Sequence, residues 1–268
     1  MIIGNKSFDT TKEAYIMGIL NVTPDSFSDG GRYNSFDKAM KHVEQMVEEG
    51  AHIIDVGGES TRPGYTLISD QEEISRVAPV IEGIKKHFDI AIAVDTYKEA
   101  VAEAAIVAGA DMVNDIWGLR YNGKMADVIG KYDAACTLMH NRNNTVYKDF
   151  VTEVVEDLTT SVNMALAAGV SQDKILIDPG IGFGKTYEQN LQMMKELERL
   201  QEIGYPILLG TSKKSIIGLT LNIGTDERVE GTIATTVIGY MKGCRIFRVH
   251  NVKENLRALR MTEAIMQA

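Results

Sequence analysis

Eight short runs of β-branched and aliphatic residues recur along the chain, each followed by a stretch whose apolar residues keep helical spacing. The runs are Tyr15 to Leu20, Ile53 to Val56, Ile90 to Asp95, Met112 to Asp115, Ala135 to Met139, Ile175 to Asp178, Ile207 to Gly210 and Ile246 to Val249. Each is almost continuously apolar, as a strand must be when both its faces are covered. Alternation of this kind builds a parallel sheet wrapped by helices. Eight units in roughly 250 residues is the size of a (β/α)8 barrel. An open doubly wound sheet shows the same alternation, so periodicity alone leaves both architectures standing.

Between the strands, Ser35 precedes a stripe of Ala39, Met40, Val43, Met46 and Val47, and Gly50 follows as a stop. Ser69 to Glu72 and Thr96 to Glu99 carry capping-box spacing, and Asn251 to Glu254 a looser version of it. No Pro- or Ser-rich linker interrupts the 268 residues, which we read as one domain spanning 1–268. Residues Met1 to Lys12 read as a small hairpin turning at Gly4-Asn5.

The net charge of −9 provides no electrostatic footprint for nucleic acid or an anionic membrane surface. Any anionic ligand must therefore meet a local cluster of cations. Cys136 and Cys244 lie far apart in apolar stretches and read as reduced core thiols, which favours a cytoplasmic setting. No basic leader and no apolar run of membrane-spanning length is evident, so we expect neither export nor a membrane partner.

In a parallel barrel, chemistry is carried by the carboxyl ends of the strands and the loops after them. Here those positions are polar throughout. They comprise Asn21, the segment Asp55 to Gly64, Asp95, Asn114-Asp115, His140, Asp178, Thr211 to Ser215 and Arg248 to Asn251. One Asp or Asn after a strand is usually a turn former. A full ring of carboxylates, amides and two cationic clusters suits a polar heterocycle together with an anion.

The segment Pro179 to Thr186 nearly spells a phosphate-binding P-loop, but Pro179 stands where Gly is required and forbids a positive φ. The five histidines form no metal-ligand spacing, so any metal should be a hard cation held mostly by ligand phosphates, as magnesium is.

Five ordered motifs now resemble one family, dihydropteroate synthase, a pterin-binding enzyme of folate biosynthesis. They are Asn21 to Gly31, Asp55 to Gly64, Asp178 to Lys185, Ser212 to Ser215 and Arg248 to His250. The resemblance runs from the first strand to the eighth. It implies a (β/α)8 barrel, and a transferase that joins 6-hydroxymethyl-7,8-dihydropterin diphosphate to 4-aminobenzoate with release of diphosphate. Carried over residue by residue, it implies a pterin site of Asp95, Asn114, Ile116, Met139, Asp178, Phe183, Gly210, Lys214 and Arg248. It implies a diphosphate site of Asn21, Arg62, Arg248 and His250, with Asn21 on magnesium. For 4-aminobenzoate it implies Phe27, Thr61, Pro63, Phe183, Lys214 and Ser215, the carboxylate lying near the N-terminus of a helix beginning around Ser215. The catalytic set is then Asn21, Arg62, Asp95, Asp178, Lys214, Arg248 and His250. The family also implies a homodimer and a sulfonamide target.

The residues make physical sense in these roles. An ionised carboxylate such as Asp178 can accept two adjacent N–H donors of a pterin edge. Cations aimed at a departing diphosphate stabilise the charge it takes away. Lys213 stands where the family often has Arg, which exchanges a two-pronged donor for a point charge. A pterin-binding methyltransferase barrel would share Asp95, Asn114 and Asp178 without needing Arg62, Arg248 and His250. A noncatalytic homologue should have lost some of that diphosphate set.

Overall fold

The computed structural model describes residues 1–23, 32–59 and 67–268. A two-stranded antiparallel hairpin, β1 (Ile2–Ile3) and β2 (Lys6–Ser7), precedes the main unit. Gly4 turns it with a φ of +59°, a conformation natural to glycine. Eight strands follow: β3 (Tyr15–Asn21), β4 (Ile53–Gly57), β5 (Ala91–Asp95), β6 (Met112–Asp115), β7 (Ala135–Met139), β8 (Ile175–Asp178), β9 (Ile207–Leu209) and β10 (Cys244–Val249). They close into an all-parallel barrel in the order β10-β3-β4-β5-β6-β7-β8-β9. This decides for the barrel over the open sheet. Strand limits match the sequence reading to within two residues.

The strands are apolar on both faces because they serve two cores. Tyr15, Met17, Ile53, Ala91, Ala93, Met112, Ala135, Leu176, Leu208 and Ile246 fill the barrel interior. Ile3 and Phe8 join that cluster, so the hairpin closes one end of the barrel. The alternate residues, among them Ile54, Val56, Ile92, Val94, Leu138 and Phe247, pack outward under the helices.

The helices are α1 (Arg32–Glu48), α2 (Asp70–His87), α3 (Glu99–Val107), α4 (Met125–Tyr132), α5 (Phe150–Ala167), α6 (Tyr187–Lys195), α7 (Ser215–Leu221), α8 (Val229–Met241) and α9 (Val252–Met266). Ser69 caps α2, its side chain accepting from the Glu72 N–H at 3.2 Å. Gly50 follows α1 with a φ of +96°. Other expected helix signals are corrected. Helix α1 begins at Arg32, so Ser35 lies within it and does not mark its start. Thr96 bonds the Lys98 N–H, and α3 starts later, at Glu99, whose carboxylate instead accepts from Asn122. Asn251 precedes α9 with no side-chain cap bond. A reciprocal capping box that the sequence reading did not include joins Thr186 and Gln189 at the start of α6.

Among the described residues no helix is long and apolar enough to cross a membrane. Cys136 and Cys244 are free and buried, and burial pushes both thiols up.

Gly130 in α4 lies against the end of α5, where an added Cβ would strike the Ala168 carbonyl oxygen. Alanine would gain about 1 kcal/mol in helix propensity, but overpacking against immovable backbone costs about 1–3 kcal/mol or more. Gly130→Ala is therefore expected to lower stability in urea unfolding. A stabilised variant would show that α4 and α5 slide apart freely.

Candidate active site

The period of two along each strand determines what reaches the barrel mouth. Ile53 faces the interior, so Asp55 does too; Asp95 follows Ala91 and Ala93, Asn114 follows Met112, Asp178 follows Leu176, and Arg248 follows Ile246. Parallel pairing levels these positions: Asn21 lies opposite Gly57, Gly57 opposite Asp95, Asp95 opposite Asn114, and Met139 opposite Asp178. A polar layer thus caps the apolar barrel core.

Arg248 organises one half of this layer. Its Nε donates to Asp55 Oδ2 and its Nη2 to Asp95 Oδ2, each at 2.5 Å. Asn114 Nδ2 donates to the same Asp55 oxygen at 3.2 Å. Burial disfavours the Arg248 charge, but the two carboxylates outweigh it and hold the guanidinium charged. Asp95 is pushed up to about 7, chiefly by burial, with Arg248 opposing and Asp55 adding to the rise. The other oxygens, Asp55 Oδ1 and Asp95 Oδ1, are buried with no hydrogen-bond partner among the described residues. Buried acceptors in that state fit a ligand that brings N–H donors.

Asp178 and Lys214 form the other half. Asp178 Oδ1 accepts the Gly180 N–H at 2.6 Å, and burial raises its pKa against the pull of Lys214. Burial lowers Lys214 to about 8, with Asp178 opposing. The Lys214 ammonium donates to the Ile181 carbonyl at 2.6 Å and lies 4.8 Å from the centre of the Phe183 ring. Gly210 leaves the space between them open: a Cβ there would lie 3.8 Å from both Asp178 Oδ2 and Lys214 Nζ. Ile116, Met139, Tyr97, Trp117 and Phe183 form an apolar wall beside these groups. Flat apolar walls with convergent charged acceptors and donors suit a planar, hydrogen-bonding ring system.

His250 Nδ1 pairs with Ser212 Oγ at 2.9 Å. Asn21 ends β3 on the inward-facing side, and Ser215 opens α7, as expected for the helix start. Lys213 adopts a φ of +58°, its carbonyl held by Arg228 at 2.8 Å. Of the expected site residues, Phe27, Thr61, Arg62 and Pro63 lie outside the described residues. Among the described residues no group of three His, Cys, Asp or Glu could hold a metal.

Asp55 was placed at the strand ends by the sequence but given no role in the substrate sites. Its signal was available: it alternates with Ile54 and Val56 and so points inward. The P-loop rival fails on geometry as well as on Pro179, because the Lys185 ammonium is buried against the Gly180 and Phe183 carbonyls, 3.0 Å from each.

Fold and site together define a (β/α)8-barrel enzyme whose mouth takes a flat, hydrogen-bonding ring beside an anion. Comparison with known proteins narrows this class. Residues 17–250 match the model of the pterin binding enzyme family. The dihydropteroate synthase of Clostridium beijerinckii is 59% identical over 268 residues, all of both chains. The crystal structure of a Clostridium difficile dihydropteroate synthase in the presence of pteroic acid superposes with a TM-score of 0.95 at 54% identity, covering 98% of this chain and 100% of that one. That of Xanthomonas albilineans with 4-aminobenzoic acid gives a TM-score of 0.91 at 40% identity, covering 96% and 94%. The chain belongs to the pterin-binding enzymes and, within them, to the dihydropteroate synthase family.

Replacing Asp55 with Asn leaves the Arg248 charge with Asp95 alone. Breaking a buried charge pair costs about 3–5 kcal/mol, and the retained Asp95 contact puts Asp55→Asn near the low end. Urea unfolding at pH 7 measures this, and an unchanged midpoint would mean that Arg248 does not depend on Asp55.

Proposed function

We propose that the chain condenses 6-hydroxymethyl-7,8-dihydropterin diphosphate with 4-aminobenzoate, forming 7,8-dihydropteroate and releasing diphosphate. The observation that carries this reading is the pairing, in one mouth, of buried inward carboxylates (Asp95, Asp178) with half-buried cations (Lys214, Arg248), on a chain so similar to dihydropteroate synthases.

In this reading Asp178 accepts the adjacent N–H donors of the pterin edge, and Asp95 and Asn114 complete the pattern on its far side. Ile116, Met139 and Phe183 flank the ring faces, and Gly210 leaves them room. Lys214 donates to the pterin oxygen. The bond between the pterin methylene carbon and the diphosphate oxygen breaks first, its electron pair leaving with diphosphate. Arg248 and His250, with Arg62 and Asn21, stabilise the charge that departs. Preorganised donors of this kind are worth about 2.7–4 kcal/mol each. The amine lone pair of 4-aminobenzoate then forms the C–N bond, and the amine proton is lost to solvent. Phe27, Thr61, Pro63, Phe183, Lys214 and Ser215 would seat the aminobenzoate. No protein nucleophile is required.

Magnesium belongs to the same reading. The side-chain oxygen of Asn21 borders the open position above Gly57, where a Cβ would lie 3.6 Å from Asn21 Oδ1 and 3.8 Å from Asp95 Oδ2. One hard protein oxygen fits a cation whose other ligands are phosphate and water. When bound, magnesium would neutralise charge on the diphosphate. We also place the enzyme in the cytoplasm, supported by its free thiols, and as a homodimer, for which exposed Leu219, Ile238 and Met241 offer apolar surface.

The test is product formation by the purified protein with each substrate omitted in turn. Dihydropteroate and diphosphate are expected in equal amounts only with both substrates, and diphosphate without product in their joint presence would overturn the reading. Excess chelator is expected to abolish turnover and magnesium to restore it; full activity in chelator would remove the metal from the mechanism.

Asp178→Asn places an amide donor against the ligand's own donors. Calorimetry with a pterin lacking the diphosphate should show a loss of about 1.5–3 kcal/mol, with diphosphate affinity unchanged. Equal pterin affinity would reduce Asp178 to a turn former.

A further inference from the structure

Lys185 has no part in the chemistry above, yet it occupies an unusual place. Its ammonium is buried beneath the loop that follows β8 and makes three contacts: His140 Nδ1 at 2.8 Å, the Gly180 carbonyl at 3.0 Å and the Phe183 carbonyl at 3.0 Å. Three acceptors match the three N–H groups of a protonated lysine. The first of these contacts requires His140 Nδ1 to be an acceptor. His140 is neutral over the working range, since burial lowers its pKa to about 4, and its Nε2 lies 3.1 Å from Asp157 Oδ2. Nε2 therefore carries the hydrogen, and Nδ1 presents its lone pair to Lys185.

The loop above Lys185 is held at almost every peptide. The Gly180 N–H goes to Asp178, the Gly182 N–H to Asn190 at 2.6 Å, and the Ile181 carbonyl receives Lys214. Gly180, Gly182 and Gly184 all have positive φ, conformations natural to glycine, and the hydrogen bonds above tie the turn down. Lys185 thus grips the two carbonyls on either side of the one that Lys214 uses, and the second of them belongs to Phe183, whose ring faces the Lys214 ammonium.

We propose that Lys185 is a positioning residue for the substrate site: through the Gly180 and Phe183 carbonyls it sets the Ile181 carbonyl and the Phe183 ring, and thereby the place of Lys214. This rests on the reading of Lys214 and Phe183 as contacts to both substrates. The charge state of Lys185 is part of the device. Burial lowers its pKa to about 7, with Asp178 and Asp157 opposing and Lys214 and Arg142 adding to the fall. A neutral amine has only two N–H groups and turns a lone pair toward one of the three acceptors, so the loop loses a tie as pH rises through that value. The charged and titratable groups facing Lys185 are His140, Asp178, Lys214, Arg142 and Asp157.

Lys185→Met keeps the chain length and removes all three donors, while Lys185→Gln keeps an amide donor without the charge. Because misplacing a binding group by about 1 Å can cost on the order of 100-fold, Lys185→Met is expected to raise KM for both substrates about tenfold or more, with Lys185→Gln between it and wild type. The wild-type rise in KM near pH 7 should vanish in both variants, leaving the later limb that Lys214 produces near pH 8. Loss of kcat at unchanged KM, matching a smaller folded fraction, would make Lys185 merely structural and overturn the proposal. Failure of both variants to fold would do the same. Absence of product from the wild-type enzyme would instead refute the catalytic reading, and the two failures are thereby distinguished.

Discussion

The guanidinium of Arg248 lies between Asp55 and Asp95, carboxylates that reach it from two neighbouring strands on the far side of β3. Much of the mouth depends on that bridge. Asn114 is turned toward the same Asp55 oxygen, and the remaining oxygens of both acids are buried without hydrogen-bond partners among the described residues. Polar atoms in that condition are costly unless a ligand satisfies them. The bridge therefore holds a cation charged at the mouth and at the same time prepares acceptors for a ring with N–H donors.

The third carboxylate, Asp178, is built differently. It is tied to the backbone of its own loop and balanced by Lys214, which in turn depends on that loop's Ile181 carbonyl. One half thus sets two acids against Arg248 and the other sets Asp178 against Lys214, and burial disfavours charge on Asp95, Asp178, Lys214 and Arg248. The mouth thus gathers two cations, Arg248 and Lys214, on a chain whose net charge is −9. The field that matters is the one inside the cavity, where low dielectric magnifies short-range charge.

A further buried cluster holds the loop after β4 at both sides of the segment 60–66. Lys98 donates to Glu59, Glu73 and the Ile68 carbonyl, each at 2.8 Å, and Glu59 accepts the Ile68 N–H at 2.9 Å. Residues 59 and 68 are joined through one ammonium and one carboxylate. Burial opposes the Lys98 charge, but the two glutamates prevail and raise its pKa. Such triads are held by geometry and hydrogen bonds more than by net stabilisation.

The barrel elements were legible in the sequence because a strand covered on both faces must be apolar almost throughout, and the polar residues at each strand end then stand out. Asp95, Asn114, Asp178, Lys214, Arg248 and His250 were singled out in this way and by family resemblance. Sequence by itself also determined the composition of the mouth: which acids, amides and cations are available, and at which strand ends. Alternation alone left closure of the sheet open, and the role of Asp55 and the place of Lys185 were decided only by tertiary structure. Alternation shows that Asp55 faces inward, but not that it meets an arginine 193 positions away. Capping failed at Thr96 and Asn251 because a local pattern offers hydrogen bonds that the ends of the strands and helices did not take up. The lysine next to a glycine-rich turn nearly spells a phosphate-binding loop in one dimension, a reading that Pro179 already opposed. In three dimensions its three donors are spent on a histidine and two carbonyls, because the positive φ angles of that turn fold those carbonyls back over it.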